Sequence, residues 1–554
     1  MFVRIKTTPN SPRKSVQIVQ SLRKGDKVFQ KIVRYIGIAM DDYELEKLKD
    51  LAESVKIKLE AGDQELLFSP EELARLNKKS KKKRLEETEN DYKVNLKNLV
   101  EEQRVVSGIH DIYGSLFDEL GYAKVIKHPT RHEAVVDIYR NIVLARIANP
   151  LSKMASIDML EESFGISLNL DKVYRMMDKL DTEAIERLND ITYGNTSDLL
   201  NKKIDIIFFD CTTVYFEAFE DDDLRKAGYS KDLKFNQPQV LLALMVTTEG
   251  LPIGYKVFEG NKFEGHTLIP MIKEIEKKHK LNKVIFVSDA GMFNKNNLQE
   301  LEEKGIEYIV GGKLRNMPNN IKEDILDISK YKEIRRGYKV RRIEYQGKHI
   351  IISHSEKRAK KDARDRIKAI EAIQKKLEKN KSPNNYLSNY GNKKYLKVSN
   401  SVKIEINEEK VNNDSRWDGL HGVITNAKDI TDKEVMAQYN NLWNVENAFR
   451  ITKHDLKVRP VFHWKPERVK AHFAISFTAY ALVKYLEYRV KLQYKKLSCE
   501  KIRQTLIKAQ TSVLFDKFKK IRYGLPSRIS QDARKIYKLI RRDWRLTPYI
   551  IKKM

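Results

Sequence analysis

One stretch near the carboxyl end of the sequence combines a carboxylate with two cations at helical spacing. Residues 438–457, QYNNLWNVENAFRITKHDLK, contain no Pro or Gly, and apolar side chains recur with the helical period, which predicts one continuous helix. Glu446 lies among these apolar positions, where a solvated charge is not expected. Arg450 and Lys453 follow it by four and seven residues, so all three share nearly one face. This pattern suits a site that binds a metal ion and contacts phosphates, and the alternative is a Glu–Arg pair on a solvent-exposed face.

Two aspartates end buried strands much earlier in the sequence. IDIIFFD ends in Asp210, and VIFVSDAG contains Asp289. Between these strands the sequence predicts an antiparallel hairpin, QVLLALMVTT with LPIGYKVFEG, followed by a helix. Carboxylates at the rim of a sheet are well placed to share a hard cation. The alternative for Asp289 is a turn former before Gly291. Together with Glu446, the two aspartates form a candidate constellation of carboxylates.

The composition indicates a large, basic protein with a polyanionic partner. The chain has 554 residues, 41% of them hydrophobic, which predicts three or four domains with a sizeable core. Its formal net charge is +29, so DNA or RNA is the first expected partner and a membrane surface the second. Residues 495–554 alone carry 18 Lys or Arg against four Asp or Glu. The aromatic residues interleaved with this charge suit contact with nucleic acid, and the alternative is ordinary core packing: Phe515, Phe518, Tyr523, Tyr537, Trp544 and Tyr549.

Other sequence features argue against a membrane or secreted protein. The best apolar run, Ala471–Val483, is too short to cross a bilayer and fits a buried helix that packs one apolar side on a sheet. The first residues lack the apolar core of a secretory signal. Two cysteines exclude a disulfide framework and a zinc site built from cysteines. We therefore expect a cytoplasmic location without a membrane partner.

In order along the chain, these residues resemble the DDE transposases of bacterial insertion sequences, in the group with a large insertion between the second Asp and the Glu. That family carries Tyr, two residues, Arg, three residues, Glu, six residues and Lys in its last core helix. Tyr439, Glu446 and Lys453 match this spacing, whereas Leu442 stands where the Arg would be, and Arg450 offers a cation from the same face. The resemblance covers about residues 200–485 and includes the stretches GYSKD, PQVLLALMVTTEGLPIGYKVFEGN and WDGLHGVITNA.

The resemblance implies an α/β fold with a ribonuclease-H-like mixed sheet. The segments expected on this basis are 1–100, a basic β-module and helical linker; 101–200, a helical DNA-binding domain in which residues 150–180 could hold a helix-turn-helix; 201–300, the first part of the catalytic core; 301–412, an inserted α+β subdomain; 413–490, the second part of the core; and 491–554, a basic helical region.

The resemblance also implies a chemistry. Asp210, Asp289 and Glu446 would be catalytic and would bind two Mg²⁺ or Mn²⁺ ions, a preference that agrees with all-oxygen ligands. Tyr439, Arg450 and Lys453 would contact DNA. The expected partners are double-stranded DNA, as the element's terminal inverted repeats and the target, and a second copy of the chain in a synaptic dimer. A bacterial cytoplasmic protein associated with the nucleoid is implied.

Other residues and other functions remain open alternatives. Asp418 is either a fourth acidic group or a turn former before Gly419, and Trp443 and Trp464 either stack on an unpaired base or, as we expect, pack in the core. The charge run Lys78–Arg84 is either solvated or rests on phosphates. Besides a transposase, the alternatives are a DNA nuclease without strand transfer, a non-catalytic DNA-binding protein derived from a transposase, and a basic RNA-binding protein.

Overall fold

The computed structural model describes residues 1–7, 13–24, 27–40, 42–61, 92–217, 220–228, 237–279, 284–291, 295–379, 394–399, 403–494 and 497–551. The basic run Lys78–Arg84 lies outside these residues. The chain divides into two compact units. The first unit contains Met1–Asp205, Asp210–Phe263 and Asn444–Met554, and the second contains Ile206–Phe209 and Glu264–Trp443.

The first unit begins with a small antiparallel sheet. Strands β1 (Phe2–Thr7), β2 (Lys14–Lys24) and β3 (Lys27–Ala39) pair in the order β1-β2-β3, as the alternating sequence predicts. The helix Asp42–Ala61 packs on this sheet, and Val16, Ile18 and Leu48 belong to the small core between them. The predicted β-module and the helix that follows it are therefore present.

A helical layer follows in the same unit. Its helices, after the short strand β4 (Leu99–Val106), are Ser107–Ile109, Ser115–Glu119, Glu133–Ala148, Lys153–Phe164, Leu170–Asp178 and Thr182–Leu199. They gather around the long helix Pro466–Gln493, in which every residue from Ala471 to Leu486 is buried. We expected this helix to be apolar on one side and to lie on a sheet. Instead it is enclosed on all sides, because other helices pack on it as well as a strand. Among the described residues, no helix is both long and apolar enough to span a membrane.

The carboxyl-terminal part of the first unit is a mixture of strands and helices. Its helices are Cys499–Ile507 and Gln531–Leu539, and its strands β16 (Gln510–Asp516), β17 (Ile521–Pro526) and β18 (Tyr549–Ile550) form a sheet with β4 in the order β18-β17-β16-β4. The two helices agree with the expected helical region, whereas the strands were not expected. The high density of charge hid the alternation of buried residues in β16. Tyr523 and Tyr537 are buried, so core packing holds for these two aromatic residues.

The remaining strands of the first unit form the hairpin that the sequence predicts. Strand β6 (Gln239–Thr247) is buried throughout and pairs with β7 (Pro252–Glu259) in antiparallel fashion. Gly250 makes the turn with φ of +75°, a conformation that glycine adopts without strain. Strand β5 (Ile206–Tyr215) lies beside β6, and its residues from Asp210 onward belong to this unit.

The second unit is built on a mixed sheet. The first residues of β5 pair in parallel with β8 (Ile285–Ser288), and β8 pairs in parallel with β9 (Glu307–Gly311). Antiparallel strands then follow in the order β15 (Leu420–Thr425), β12 (Lys348–Ser355), β11 (Tyr338–Tyr345) and β10 (Lys332–Arg335), and a separate pair is formed by β13 (Leu396–Ser399) and β14 (Lys403–Ile406). The helices of this unit are Leu268–Lys278, Lys295–Glu303, Asn319–Leu326, Glu356–Lys379, Glu408–Ser415 and Asp432–Asn440.

This architecture confirms the predicted mixed α/β class with a large mixed sheet. WDGLHGVITNA supplies β15, the last strand expected for the core. Strand β9, which lies within the expected inserted subdomain, is instead a central strand of the sheet, because its run EYIVG is buried between β8 and β15. The six segment boundaries given by the sequence stay predictions.

Candidate active site

Asp210 belongs to the first unit and interrupts an otherwise apolar strand. The residues before it, Ile207–Phe209, are buried, and Asp210 itself is half-buried. Its Oδ1 accepts a hydrogen bond of 2.7 Å from the backbone N–H of Cys211. The strand continues to Tyr215, so Asp210 lies within β5 and not, as expected, at its end.

Asp289 belongs to the second unit and follows β8 directly. The carboxylate is exposed, and its Oδ1 accepts a hydrogen bond of 2.9 Å from the backbone N–H of Gly291. This contact is the turn that the alternative interpretation of Asp289 requires. Because the side chain is open to solvent, the turn leaves the carboxylate accessible to a ligand.

The register of the second unit's parallel strands relates the two aspartates along the chain. Phe208 of β5 lies opposite Val287 of β8. Asp210 and Asp289 each come two residues after this pair, each in the carboxyl-terminal direction. Parallel strands present their carboxyl ends on the same edge of a sheet. The strand order therefore supports the predicted pairing of these aspartates.

The helix predicted over 438–457 is three shorter pieces. The helix Asp432–Asn440 ends at a turn, a second helix spans Trp443–Arg450, and Ile451–Asp455 form a turn of π-helix. Glu446 lies in the first turn of the second helix and is exposed, so the prediction of a charge among apolar side chains is wrong. Each residue advances about 100° around a helix, and that turns Glu446 away from the buried Val445 and Phe449.

The two cations after Glu446 have different surroundings. The guanidinium of exposed Arg450 donates to Oδ1 of Asn447 at 3.2 and 2.7 Å. It also lies 3.9 Å from Asp455, whereas no ion pair of the described residues joins it to Glu446. The alternative of an i,i+4 Glu–Arg pair is therefore not realised. Lys453 is half-buried in the π-helical turn and lines a pocket of the first unit.

Tyr439 lies in the second unit, at the edge of the sheet that carries Asp289. Its hydroxyl is 2.6 Å from the position that a β-carbon on Gly311 would take, at the end of β9. The backbone nitrogen of Ala290, next to Asp289 in the chain, is 2.9 Å from the same position. The Tyr439 ring centroid lies 5.1 Å from that of His421, whose pKa burial and the nearby Arg358 charge lower to about 4. This histidine is therefore neutral at pH 7.

Three further residues singled out in the sequence have clear surroundings. Both carboxylate oxygens of Asp418 accept hydrogen bonds from the guanidinium of Arg366, at 2.5 and 2.6 Å. The residue after it, Gly419, has φ of +76°, so Asp418 precedes a turn and is held as a structural group. Trp443 and Trp464 are 52% and 66% exposed, so the expectation that they pack in the core is wrong.

The chemistry of the three carboxylates fits a hard divalent ion, since Asp and Glu oxygens are the ligands that Mg²⁺ and Mn²⁺ prefer. Among the described residues, no group of three His, Cys, Asp or Glu side chains is close enough to hold a metal ion. The donor set and the strand register thus support metal binding, and a complete ligand cluster is not formed in this structure.

Sequence reasoning missed some residues that shape this region. Gly311 admits the close approach of Tyr439, and Arg366 neutralises Asp418. The pair Gly311-Gly312 directly after a buried strand is a signal of close backbone approach that could have been used. Arg366 lies 52 residues before its partner, and nothing in the sequence pairs them.

Comparison with known proteins adds a family to this description. A family model for the transposase DDE domain matches residues 201–482, about half of the chain. No curated protein sequence is significantly similar to the chain. Among solved structures, the piggyBac transposase synaptic complex with hairpin DNA is 9% identical, with a TM-score of 0.38 over 73% of this chain and 77% of that one. The Mos1 transposase paired-end complex with its left transposon end is 14% identical, with a TM-score of 0.14 over 28% of this chain and 53% of that one. By the match of the domain model, the chain belongs to the DDE transposase family.

Proposed function

We propose that this DNA transposase binds the terminal inverted repeats of an insertion sequence, hydrolyses a phosphodiester at each end and joins the 3′-ends to a target. The observation that carries the proposal is the strand register, which places Asp210 and Asp289 just beyond a pair of residues on neighbouring parallel strands of the domain matched by the family model. Membership of the family indicates an enzyme that acts on DNA.

The three carboxylates are the proposed ligands of the metal on which this family depends. Asp210, Asp289 and Glu446 would hold two Mg²⁺ or Mn²⁺ ions. When bound, such ions neutralise charge at the phosphodiester and activate the attacking water or 3′-hydroxyl. The half-buried position of Asp210 limits its motion, whereas Asp289 and Glu446 are exposed and free to meet a substrate phosphate.

The remaining predicted residues position DNA in this proposal. Lys453 and Arg450 lie beyond Glu446 on the same run of chain, where they would hold phosphates near the cleaved end. Arg450 takes part of the role of the family's arginine, because Leu442 stands in its place. Tyr439 packs over Gly311 and would support the loop that follows Asp289. Joining two element ends requires two active sites, so we propose a homodimer in the synaptic complex.

Cleavage of a labelled duplex carrying the element's own end tests this function. Wild-type protein in Mg²⁺ is expected to nick the duplex at the element boundary and to join the new 3′-end to a second duplex. EDTA should abolish both products. Glu446→Ala should abolish both and leave DNA binding unchanged, whereas Glu409→Ala, also an exposed glutamate in a first helical turn, should behave as wild type.

The products separate the proposal from its alternatives. Nicking without joined product would identify a metal-dependent nuclease. Tight binding without cleavage in Mg²⁺ or Mn²⁺ would identify a non-catalytic DNA-binding protein. Cleavage by Glu446→Ala would remove this residue from the site and contradict the proposed triad.

A further inference from the structure

The first unit contains a pocket that the proposed chemistry does not use. Its volume is about 420 Å³, within the range of about 300–1,000 Å³ that is typical of ligand sites. One wall is formed by Tyr215 and Phe216, which end and follow β5, and the other by residues that precede the helix Pro466–Gln493. All of the residues that line it belong to the first unit.

Two large aromatic side chains stand at this pocket without being buried. Along the extended segment before the long helix, Val461 and His463 are buried, whereas Phe462 and Trp464 are 64% and 66% exposed. The alternation turns every second side chain outward, as in a strand. Large exposed aromatic side chains side by side in a pocket are typical of surfaces on which a ligand ring stacks.

The charge of the pocket selects an anionic ligand. The Arg459 guanidinium lies 4.5 Å from the ring centroid of Tyr215. The Arg225 guanidinium lies 5.3 Å from the ring of Trp464 and is held by a hydrogen bond of 2.6 Å to Asp222. With Lys453, these residues give the lining three permanent cations against one carboxylate, that of Glu217. Aromatic rings combined with cations match the bases and phosphates of a nucleotide.

The backbone that carries these side chains is fixed from behind. Buried Arg146 donates hydrogen bonds of 3.0 and 2.9 Å to the carbonyl oxygens of Leu456 and Lys457. Nε2 of His472 lies 2.9 Å from the carbonyl oxygen of Val458. A segment held at successive carbonyls presents its aromatic residues in one arrangement, so little conformational entropy is lost when a ligand binds.

We propose that this pocket binds one unpaired nucleotide of DNA, with its base stacked on Phe462 and Trp464 and its phosphates next to Arg459 and Lys453. The inference rests on the proposed function, since it extends the DNA path on the first unit. Tyr215 is five residues beyond Asp210 on β5, about 17 Å at strand spacing. Lys453 is seven residues beyond Glu446, about 10 Å at helical spacing. The nucleotide therefore lies near the cleaved end and not at the reacting phosphate.

Three forms of the element-end duplex test the pocket in the full-length protein: perfectly paired, with one mismatch, and with an abasic nucleotide at the mismatched position. The mismatch is moved in turn through the nucleotides nearest the boundary. At one position, wild-type protein should bind the mismatched duplex about tenfold more tightly than Trp464→Ala does, as expected for the loss of one stacking contact. The abasic nucleotide should remove this advantage from the wild type and change nothing for the variant.

Two further variants separate base stacking from other contacts. Arg459→Gln should weaken binding to all three duplexes, because it contacts phosphate. Phe263→Ala removes another exposed aromatic residue of the first unit, outside the pocket, and should behave as wild type. Trp464 is exposed, so an unchanged thermal unfolding temperature will show that Trp464→Ala is folded.

Two results would overturn the proposal. Equal binding of every duplex by wild type and Trp464→Ala, with cleavage intact, would show that the pocket holds no base. An equal loss for all three duplexes would assign Trp464 to paired DNA or to a contact with protein. Failure of the wild type to bind any duplex would instead refute the proposed function.

Discussion

The hydroxyl of Tyr439 lies 2.6 Å from the place that a β-carbon on Gly311 would occupy, where the backbone nitrogen of Ala290 is also only 2.9 Å away. Glycine at the end of β9 therefore allows a tyrosine from the helix Asp432–Asn440 to rest beside the loop that follows Asp289. This relationship joins a motif residue to a candidate catalytic residue through one position without a side chain.

Gly311→Ala should disturb this arrangement. The added methyl must displace the tyrosine or the loop, and overpacking of this kind costs about 1–3 kcal/mol. We expect a lower thermal unfolding temperature and reduced DNA cleavage. Tyr439→Phe in the same chain removes the nearest clashing atom and should restore part of the lost stability. If Gly311→Ala has the stability and cleavage rate of wild type, Tyr439 does not support the Asp289 loop.

Asp418→Asn should destabilise the second unit and leave the chemistry in place. The substitution replaces one oxygen of a paired carboxylate with an amide that cannot accept from Arg366, at a cost of about 1.5–3 kcal/mol for a charged hydrogen bond. Urea unfolding measures this loss, and cleavage below the unfolding transition should remain. Complete loss of cleavage in a folded Asp418→Asn protein would instead make Asp418 a fourth acidic group of the site.

The stability of the first unit should fall as the pH is lowered, in part through His110. Burial lowers the pKa of this histidine to about 4, although Nε2 lies 3.0 Å from Oδ1 of Asn141. The unfolded chain takes up the proton near pH 6.5, so the contribution of neutral His110 is complete above that pH and is lost as the pH falls toward 4. The urea midpoint should therefore drop more for wild type than for His110→Gln between about pH 7.5 and about pH 5. Parallel midpoints would show that His110 does not titrate in this range.

The turn between β16 and β17 should contribute to the salt dependence of DNA binding. It exposes Lys517, Lys519 and Lys520, and Asp516 fixes it by accepting hydrogen bonds from the backbone of Phe518 and Lys519 at 2.9 and 3.0 Å. Each phosphate contact that is lost lowers the slope of log affinity against log salt by about 0.9. We expect a shallower slope for the triple Lys→Ser variant than for wild type, measured by fluorescence anisotropy. An unchanged slope would show that this turn does not contact phosphate.

Local patterns in the sequence were enough to predict much of this protein. The hairpin of β6 and β7, the two strands that carry Asp210 and Asp289, and the three amino-terminal strands all follow from hydrophobic periodicity and turn residues. The match of Tyr439, Glu446 and Lys453 to a spaced motif identified the family, which the domain model confirms. These features depend on residues that are near one another in the chain.

The tertiary structure decided what depends on residues that are distant in the chain. The helix predicted over 438–457 is broken, since burial of Val435, Met436, Val445 and Phe449 in packed surroundings outweighs the weak preference of the intervening residues for a continuous helix. Trp464 is exposed because the buried His463 beside it sets which side chains turn outward. Arg366 meets Asp418, and Gly311 meets Tyr439, only after folding. The sequence by itself determined the elements and the family, whereas the partners of each side chain followed from packing, which acts between segments that no local pattern connects.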